Sequence, residues 1–87
     1  MRLGTGMLVR SKVGRDKDCI YVIISVNDEY VYLADGATKP LCHWKKKNRK
    51  HVQPIFKAGI IPITDDEEIR NHIKRFANHD IQKMDVL

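Results

Sequence analysis

The chain has 87 residues, with 16 Lys and Arg against 11 Asp and Glu, and a formal net charge of +5. This length allows one small domain with a compact core. The sequence has no apolar run of membrane-spanning length and no signal-peptide pattern, so we expect a cytoplasmic protein. The charge is uneven: residues 1–63 hold 12 Lys and Arg against 5 Asp and Glu, a net +7, whereas residues 64–87 hold 4 against 6, a net −2. A basic body favours an anionic partner, with nucleic acid ahead of an acidic membrane surface.

A strand, a charged turn and a second strand are predicted near the N-terminus. The first strand covers Met7–Lys12 and the second Cys19–Val26, because both runs are apolar and too short for a typical helix. Between them, Gly14 permits the positive φ that tight loops often need, and two aspartates can hydrogen-bond nearby backbone. The loop should therefore present its two basic residues to solvent, Arg15 and Lys17.

This stretch resembles a KOW motif, the strand-loop-strand unit of several ribosomal proteins and NusG-type transcription factors. The matching residues are Val9, Ser11, Gly14-Arg15-Asp16-Lys17 and Val22-Ile23, continuing through Asp28-Glu29-Tyr30 to Ala34-Asp35-Gly36. The longer pattern is similar to the archaeal and eukaryotic large-subunit ribosomal protein fourteen family and to small bacterial KOW-domain RNA-binding proteins. Members usually carry glycine where this chain has Asp18, so we expect Asp18 to adopt a glycine-like conformation. The resemblance implies ribosomal RNA, or another structured RNA, as the partner.

Three further strands are predicted after a hairpin turn at residues 27–29. They cover Tyr30–Ala34, Thr38–Trp44 and His51–Ile55. The charge run Lys45–Lys50 lies between the last two, and its first three residues, Lys45, Lys46 and Lys47, are expected to lie in an exposed turn. In the second strand, the even positions should face the core and the odd positions should be half covered; in the third, Val31 and Leu33 should point inward. Five short strands without a helical crossover predict a mainly β fold, a small SH3-like barrel.

The C-terminal part is predicted to be helical. The chain divides into a barrel, a connector and a helix with its tail, over residues 1–56, 57–63 and 64–87. Thr64 or Asp65 can cap the helix, and the acids of the first turn suit the helix dipole. A metal-binding carboxylate site is the alternative interpretation of these acids. The helix ends at Asn78 or continues to Met84, and an apolar stripe should pack on the barrel: Ile69, Ile73 and Phe76.

Ten residues are predicted to contact RNA: Lys12, Arg15, Lys17, Lys39, Trp44, Lys45, Lys46, Lys47, Arg49 and Lys50. Phosphate binding needs several cations on one surface. The alternative interpretation is a solvated surface that keeps the protein soluble. Trp44 can stack on an unpaired base or pack on the sheet, and both interpretations stay open; packing is favoured for the tyrosines, Tyr21, Tyr30 and Tyr32.

Neither catalysis nor a cofactor is indicated by the sequence. There is no nucleophile elbow and no phosphate-binding glycine loop. Cys19 and Cys42 are expected to be free thiols, and they lie too far apart in sequence to form a zinc knuckle with His43 or His51. We therefore expect a monomeric, non-enzymatic RNA-binding protein, with ribosomal proteins as further partners. The alternative function is a protein-interaction module of the KOW type in transcription or translation.

Overall fold

Five antiparallel strands in one sheet and one C-terminal helix make up the computed structural model, which describes residues 3–85, and the side chains of residues 3–77. The elements are β1 (Leu8–Ser11), β2 (Ile20–Val26), β3 (Tyr30–Ala34), β4 (Lys45–Asn48), β5 (Val52–Pro54) and α1 (Asp66–Asp85). Short 3₁₀ turns cover Leu41–His43, Arg49–His51 and Phe56–Ala58. This confirms the predicted mainly β class, and no helix within residues 3–85 is long and apolar enough to cross a membrane.

The strand order in the sheet is β4-β3-β2-β1-β5, so β4 and β5 are its edges. Strands lie about 4.8 Å apart, so β4 and β1 would be about 14 Å apart in a flat sheet. Lys47 of β4 nevertheless places its Nζ 3.0 Å from the carbonyl oxygen of Val13, just beyond β1. The sheet therefore curls, which brings β4 against the loop between β1 and β2.

Apolar side chains are buried on both faces of the sheet. The inner cluster contains Leu3, Met7, Val9, Tyr21, Ile23, Val31, Leu33 and Val52. The outer cluster contains Leu8, Val22, Ala34 and Ile69 of α1, with Ile73 and Phe76 packed against it. The inward orientation of Val31 and Leu33 and the packing of the helix stripe are thus confirmed.

The expected division of β2 into core-facing even and half-covered odd positions is wrong. Tyr21 and Ile23, at odd positions, are buried in the inner cluster, whereas Val22 is buried in the outer cluster beneath α1. The register shifts between Ile23 and Ser25, so Val26 returns to the inner cluster. The pattern misled because both faces of this strand are covered, one by the curled sheet and one by the helix.

The helix α1 begins as predicted and takes the longer of its two predicted lengths. Asp65 is the cap, and its Oδ1 accepts a hydrogen bond from the Glu68 backbone N–H at 2.9 Å. Gly36 has a φ of 78°, and a Cβ there would collide with the carbonyl oxygen of Asp66. This close approach places the first turn of α1 directly on the turn that follows β3.

The predicted fourth strand, Thr38–Trp44, is wrong, and so is the expectation that Lys45, Lys46 and Lys47 lie in an exposed turn. The fourth strand is instead β4, which pairs with β3 from Leu33↔Lys45 to Tyr30↔Asn48. Pro40 cannot donate to a strand ladder. The next N–H, that of Leu41, donates to the Asp66 Oδ1 of α1 at 2.7 Å. The segment 38–44, between β3 and β4, is therefore bound to the helix α1 and is not paired in the sheet.

Candidate nucleic-acid interface

The loop between β1 and β2 is closed by backbone hydrogen bonds. The N–H of Asp18 donates to the Ser11 carbonyl at 2.8 Å, and the N–H of Ser11 donates to the Cys19 carbonyl at 2.9 Å. Gly14 has a φ of 92° and Asp18 a φ of 73°, so the glycine-like conformation expected of Asp18 is confirmed. On this frame Arg15 and Lys17 are both exposed, as predicted.

Asp16, between those two cations, turns inward and connects the loop to three strands. Its Oδ1 accepts a hydrogen bond from Ser11 Oγ at 3.0 Å, and its Oδ2 accepts one from the Tyr21 hydroxyl at 3.0 Å. Two ammonium groups of β4 complete the site: Lys47 Nζ lies 2.9 Å from Oδ1, and Lys45 Nζ lies 2.8 Å from Oδ2. We call these five residues the Asp16 brace.

The surroundings of the Asp16 brace fix its charges. Burial tends to raise the pKa of Asp16, but the hydrogen bonds from the two lysines, Ser11 and Tyr21 outweigh it and hold this pKa far below its ordinary value of 3.8. Burial, with the hydrogen bond to Asp16, holds the pKa of Tyr21 well above its ordinary value. The carboxylate is therefore ionised and the phenol protonated at neutral pH.

The lysines of β4 alternate between two environments. Lys45 and Lys47 lie opposite Leu33 and Val31, so their aliphatic stems continue the inner face of the sheet. Their side chains are only 30% and 10% exposed. Lys46 is exposed, pairs with Tyr32 across the strands, and holds its Nζ 4.1 Å from the ring centroid of Tyr30. Of the three lysines, only Lys46 is thus classed as exposed to solvent.

Aromatic rings accompany Lys46 on the outer face of this sheet edge. Trp44 immediately precedes β4 and is 50% exposed. Its ring and that of Tyr32 form a T-shaped pair, with centroids 5.1 Å apart and planes at 88°. The hydroxyl of Tyr32 accepts a hydrogen bond from Asn27 Nδ2 at 3.3 Å. We call Trp44, Tyr30, Tyr32 and Lys46 the aromatic patch.

The remaining predicted RNA-binding residues fall into two places. The N–H of Lys12 donates to the His51 carbonyl at 2.8 Å, which joins the basic loop to the 3₁₀ turn that carries Arg49 and Lys50. Lys39 is separate: it is half-buried, and its N–H donates to Asp35 Oδ1 in the turn after β3. Apart from Lys39, the predicted residues therefore belong to neighbouring segments.

Sequence reasoning missed the Asp16 brace. The sequence predicts Asp16 as a turn former, Tyr21 as a packing residue, and the lysines of β4 as phosphate-binding cations in an exposed turn. The spacing of Lys45 and Lys47 at i and i+2, which places both on one face of a strand, is the signal that could have found it. Both cysteines are free and exposed. Among the side chains of residues 3–77, no group of three or more His, Cys, Asp or Glu is placed to hold a metal ion.

No family model matches this chain, and no curated protein matches it.

Proposed function

We propose that this chain is a non-enzymatic RNA-binding protein that docks on the phosphate backbone through its basic loop and the adjoining basic segments. The proposed fold is the SH3-like barrel of the KOW type. The protein is proposed to act in the cytoplasm as a monomer. The observation that carries the proposal is the exposure of Arg15 and Lys17 on a loop that backbone hydrogen bonds and the Asp16 brace hold in place.

The arrangement supports this proposal because three basic segments lie next to one another. The N–H of Lys12 donates to the carbonyl of His51, which places the basic loop beside the turn of Arg49 and Lys50. The bond from Lys47 Nζ to the Val13 carbonyl places the same loop beside β4. Phosphate binding gains affinity as each bound cation releases counterions from the nucleic acid. Backbone contacts position an RNA but carry little sequence information. Ribosomal RNA, with its many closely spaced backbones, is the proposed target.

The roles of the basic residues differ within this proposal. Those with exposed side chains contact phosphates directly: Lys12, Arg15, Lys17, Lys46 and Lys50. Arg49 is partly engaged, because its Nη1 donates to the Asn27 carbonyl at 2.9 Å. Lys45 and Lys47 act through Asp16, by holding the loop. An ordered loop loses less conformational entropy when it binds.

A protein-interaction module is the second candidate function, and a different surface favours it. Phe56 is 66% exposed and Ile60 is 73% exposed, and with Met7 and Ile55 they line a shallow apolar depression. Exposed apolar surface of this kind marks association sites in many proteins. This surface lies outside the basic loop and β4, so the two candidate functions make separable predictions.

The test of the proposed function is RNA binding by the double variant Arg15→Glu/Lys17→Glu. Affinity for a structured RNA should fall steeply, and the slope of log affinity against log salt should flatten by about 1.5 units, because about two phosphate contacts are lost. Fluorescence anisotropy at several salt concentrations measures both quantities. Melting curves of the same samples establish that the variant is folded.

Lys74→Glu/Arg75→Glu is the matched control, since it makes the same change of charge at two exposed positions of α1. If both double variants weaken binding equally, the effect is one of net charge and the loop is not the interface. If the unaltered protein shows no salt-dependent RNA binding, the proposed function is wrong. The Phe56 and Ile60 surface would then be the one to test, by whether Ile60→Glu abolishes partner binding.

A further inference from the structure

The aromatic patch contains one ring, that of Trp44, with half of its surface exposed to solvent. In a T-shaped pair, only one of the two rings has a face covered by the other. At least one face of the Trp44 indole is therefore not covered by Tyr32, in agreement with its 50% exposure. The ring of Tyr30, in contrast, has Lys46 Nζ 4.1 Å from its centroid. Trp44 is thus the ring of the patch that a ligand can stack on.

The position of Trp44 is fixed from both sides before any ligand arrives. The next residue, Lys45, is held by its ion pair with Asp16 at 2.8 Å and by its register with Leu33. On the ring side, Tyr32 is held by its hydrogen bond from Asn27 and by its place in β3. A preorganised aromatic side chain loses little conformational entropy when it contacts a ligand.

The charge around this ring matches a nucleotide. Lys46 is two residues from Trp44 and lies on the same side of the sheet, because it pairs across the strands with Tyr32. The segment 44–50 contains five basic residues and no acid. The exposed acids Asp28 and Glu29 lie beyond the opposite end of β4, next to Asn48, the register partner of Tyr30. The patch therefore offers an exposed ring at Trp44 and, on the same face of the sheet, an ammonium group over Tyr30, which are suited to a base and to a phosphate.

We propose that Trp44 is a stacking platform for one unpaired RNA base, with Lys46 bound to the phosphate of the same nucleotide or its neighbour. A base inside a helix has both faces covered by adjacent bases, so only a base in a loop, bulge or single strand fits this site. The inference rests on the proposed RNA-binding function and deepens it. The basic loop docks on backbone of any kind, whereas the aromatic patch selects RNA with an unpaired nucleotide nearby.

The test uses the intrinsic fluorescence of Trp44, the one tryptophan of the chain. The probes are a short single-stranded oligouridine and a blunt RNA duplex with the same number of phosphates. The oligouridine should quench and shift the Trp44 emission, while the duplex should bind with salt sensitivity and leave the emission nearly unchanged. Quenching that is equal for both probes, or absent for both, would overturn the inference.

Substitutions of Trp44 give an independent readout. Trp44→Leu should weaken oligouridine binding roughly 5- to 150-fold, the range expected for the loss of one stacked base, and leave duplex binding within about twofold. Trp44→Phe should retain part of the affinity, because it keeps an aromatic face. Phe56→Leu is the control, since it removes an exposed aromatic ring outside the aromatic patch. Melting curves identify any variant that is not folded. If a variant fails to fold, the fluorescence of the unaltered protein with the two probes still tests the inference.

The outcomes separate the inference from the proposed function. Salt-dependent binding of both probes, with Trp44→Leu affecting them equally or not at all, would overturn base stacking and leave backbone docking intact. No binding of either probe to the unaltered protein would overturn both. Selective loss of oligouridine binding in Trp44→Leu, with Phe56→Leu unaffected, would support both.

Discussion

Asp16 has four polar partners, Ser11, Tyr21, Lys45 and Lys47, which come from β1, β2 and β4. Its side chain is 11% exposed, so little water surrounds the carboxylate, and its ionised form depends on these partners. The two lysines depend on it in turn, because an ammonium group near an apolar face without a counter-charge is costly. A residue of a surface turn thus holds the edge strand β4 against the loop between β1 and β2.

Asp16→Asn should lower the free energy of unfolding at pH 7 by about 2 kcal/mol, because it removes the negative charge from two ion pairs and from the hydrogen bonds of Ser11 and Tyr21. The pKa of Asp16 is lower in the folded than in the unfolded protein. Its contribution is therefore complete above about pH 5, starts to fall as the pH approaches the ordinary value of 3.8, and is lost as the pH falls further. The stability difference between the two proteins should be constant from pH 7 to pH 5 and shrink towards pH 2.

Urea denaturation at several pH values measures this difference. Asp28→Asn is the control, because Asp28 is an exposed acid of the β2–β3 turn. If the Asp16→Asn difference kept its full size at pH 2, ion pairing would not be its cause. If Asp28→Asn cost as much as Asp16→Asn at pH 7, the effect would be one of net charge.

Asp18 gives the second prediction at this scale, since its φ of 73° is costly for most residues. Asp18→Gly should be neutral or mildly stabilising, because glycine adopts this conformation without strain. Asp18→Val should lower stability by about 1–2 kcal/mol, because a β-branched side chain is poorly tolerated there. Thermal melts of the two variants and the parent provide the measurement, and equal melting temperatures for Gly and Val would refute the strain argument.

At the scale of elements, β4 shows how a strand can be built from lysines. Its inner residues, Lys45 and Lys47, place methylene stems beside Leu33 and Val31 and ammonium groups at Asp16. Its outer residue, Lys46, lies over Tyr30 at the sheet surface. The strand therefore has the alternating environments of any edge strand, and charged edge residues also discourage pairing with other chains.

The alternation in β4 predicts different effects for adjacent lysines. Lys47→Ala should lower stability by about 2 kcal/mol, because the stem and the ion pair with Asp16 are both lost. Lys46→Ala should change stability by no more than about 0.5 kcal/mol but should weaken RNA binding. Denaturant unfolding and anisotropy on the same two variants test this division. Equal stability losses would show that the Asp16 brace does not depend on Lys47.

The helix α1 covers the outer face of the sheet through Ile69, which is fully buried against Leu8, Val22 and Ala34. Ile69→Ala should lower stability by about 3 kcal/mol, through lost burial and the cavity that remains. Removal of the chain after Pro62 should lower the melting temperature further, because it uncovers the whole outer cluster. Lys74→Ala, at an exposed position of α1, is the control and should change the stability little. If the truncated chain melted at the same temperature as the full chain, α1 would not be needed by the sheet and would be available for a partner.

At the scale of the whole molecule, the sequence predicted what depends on local patterns. β-branched residues located β2 and β3, and the resemblance to a KOW motif predicted the positive φ of Asp18. The position of β4 was not predictable from hydrophobicity, because its inner side chains are lysines whose apolar parts are buried only after the sheet curls. The segment before it, with its apolar Leu41 and Trp44, resembled a strand, but Pro40 and the bond from Leu41 to Asp66 direct it to the helix. Long-range contacts decided both cases.

The Asp16 brace also affects the order in which this protein can form. The bond between Asp16 and Lys47 joins residues 31 positions apart in the sequence, and such contacts require loop closure before they contribute. During synthesis, the basic loop lacks both cations that hold it until Lys45 and Lys47 have also been synthesised and are free to fold. The loop that carries Arg15 and Lys17 would therefore reach its final shape late, after β4 has joined the sheet. Correct assembly of the sheet is in this way a condition for the shape of the surface that it carries.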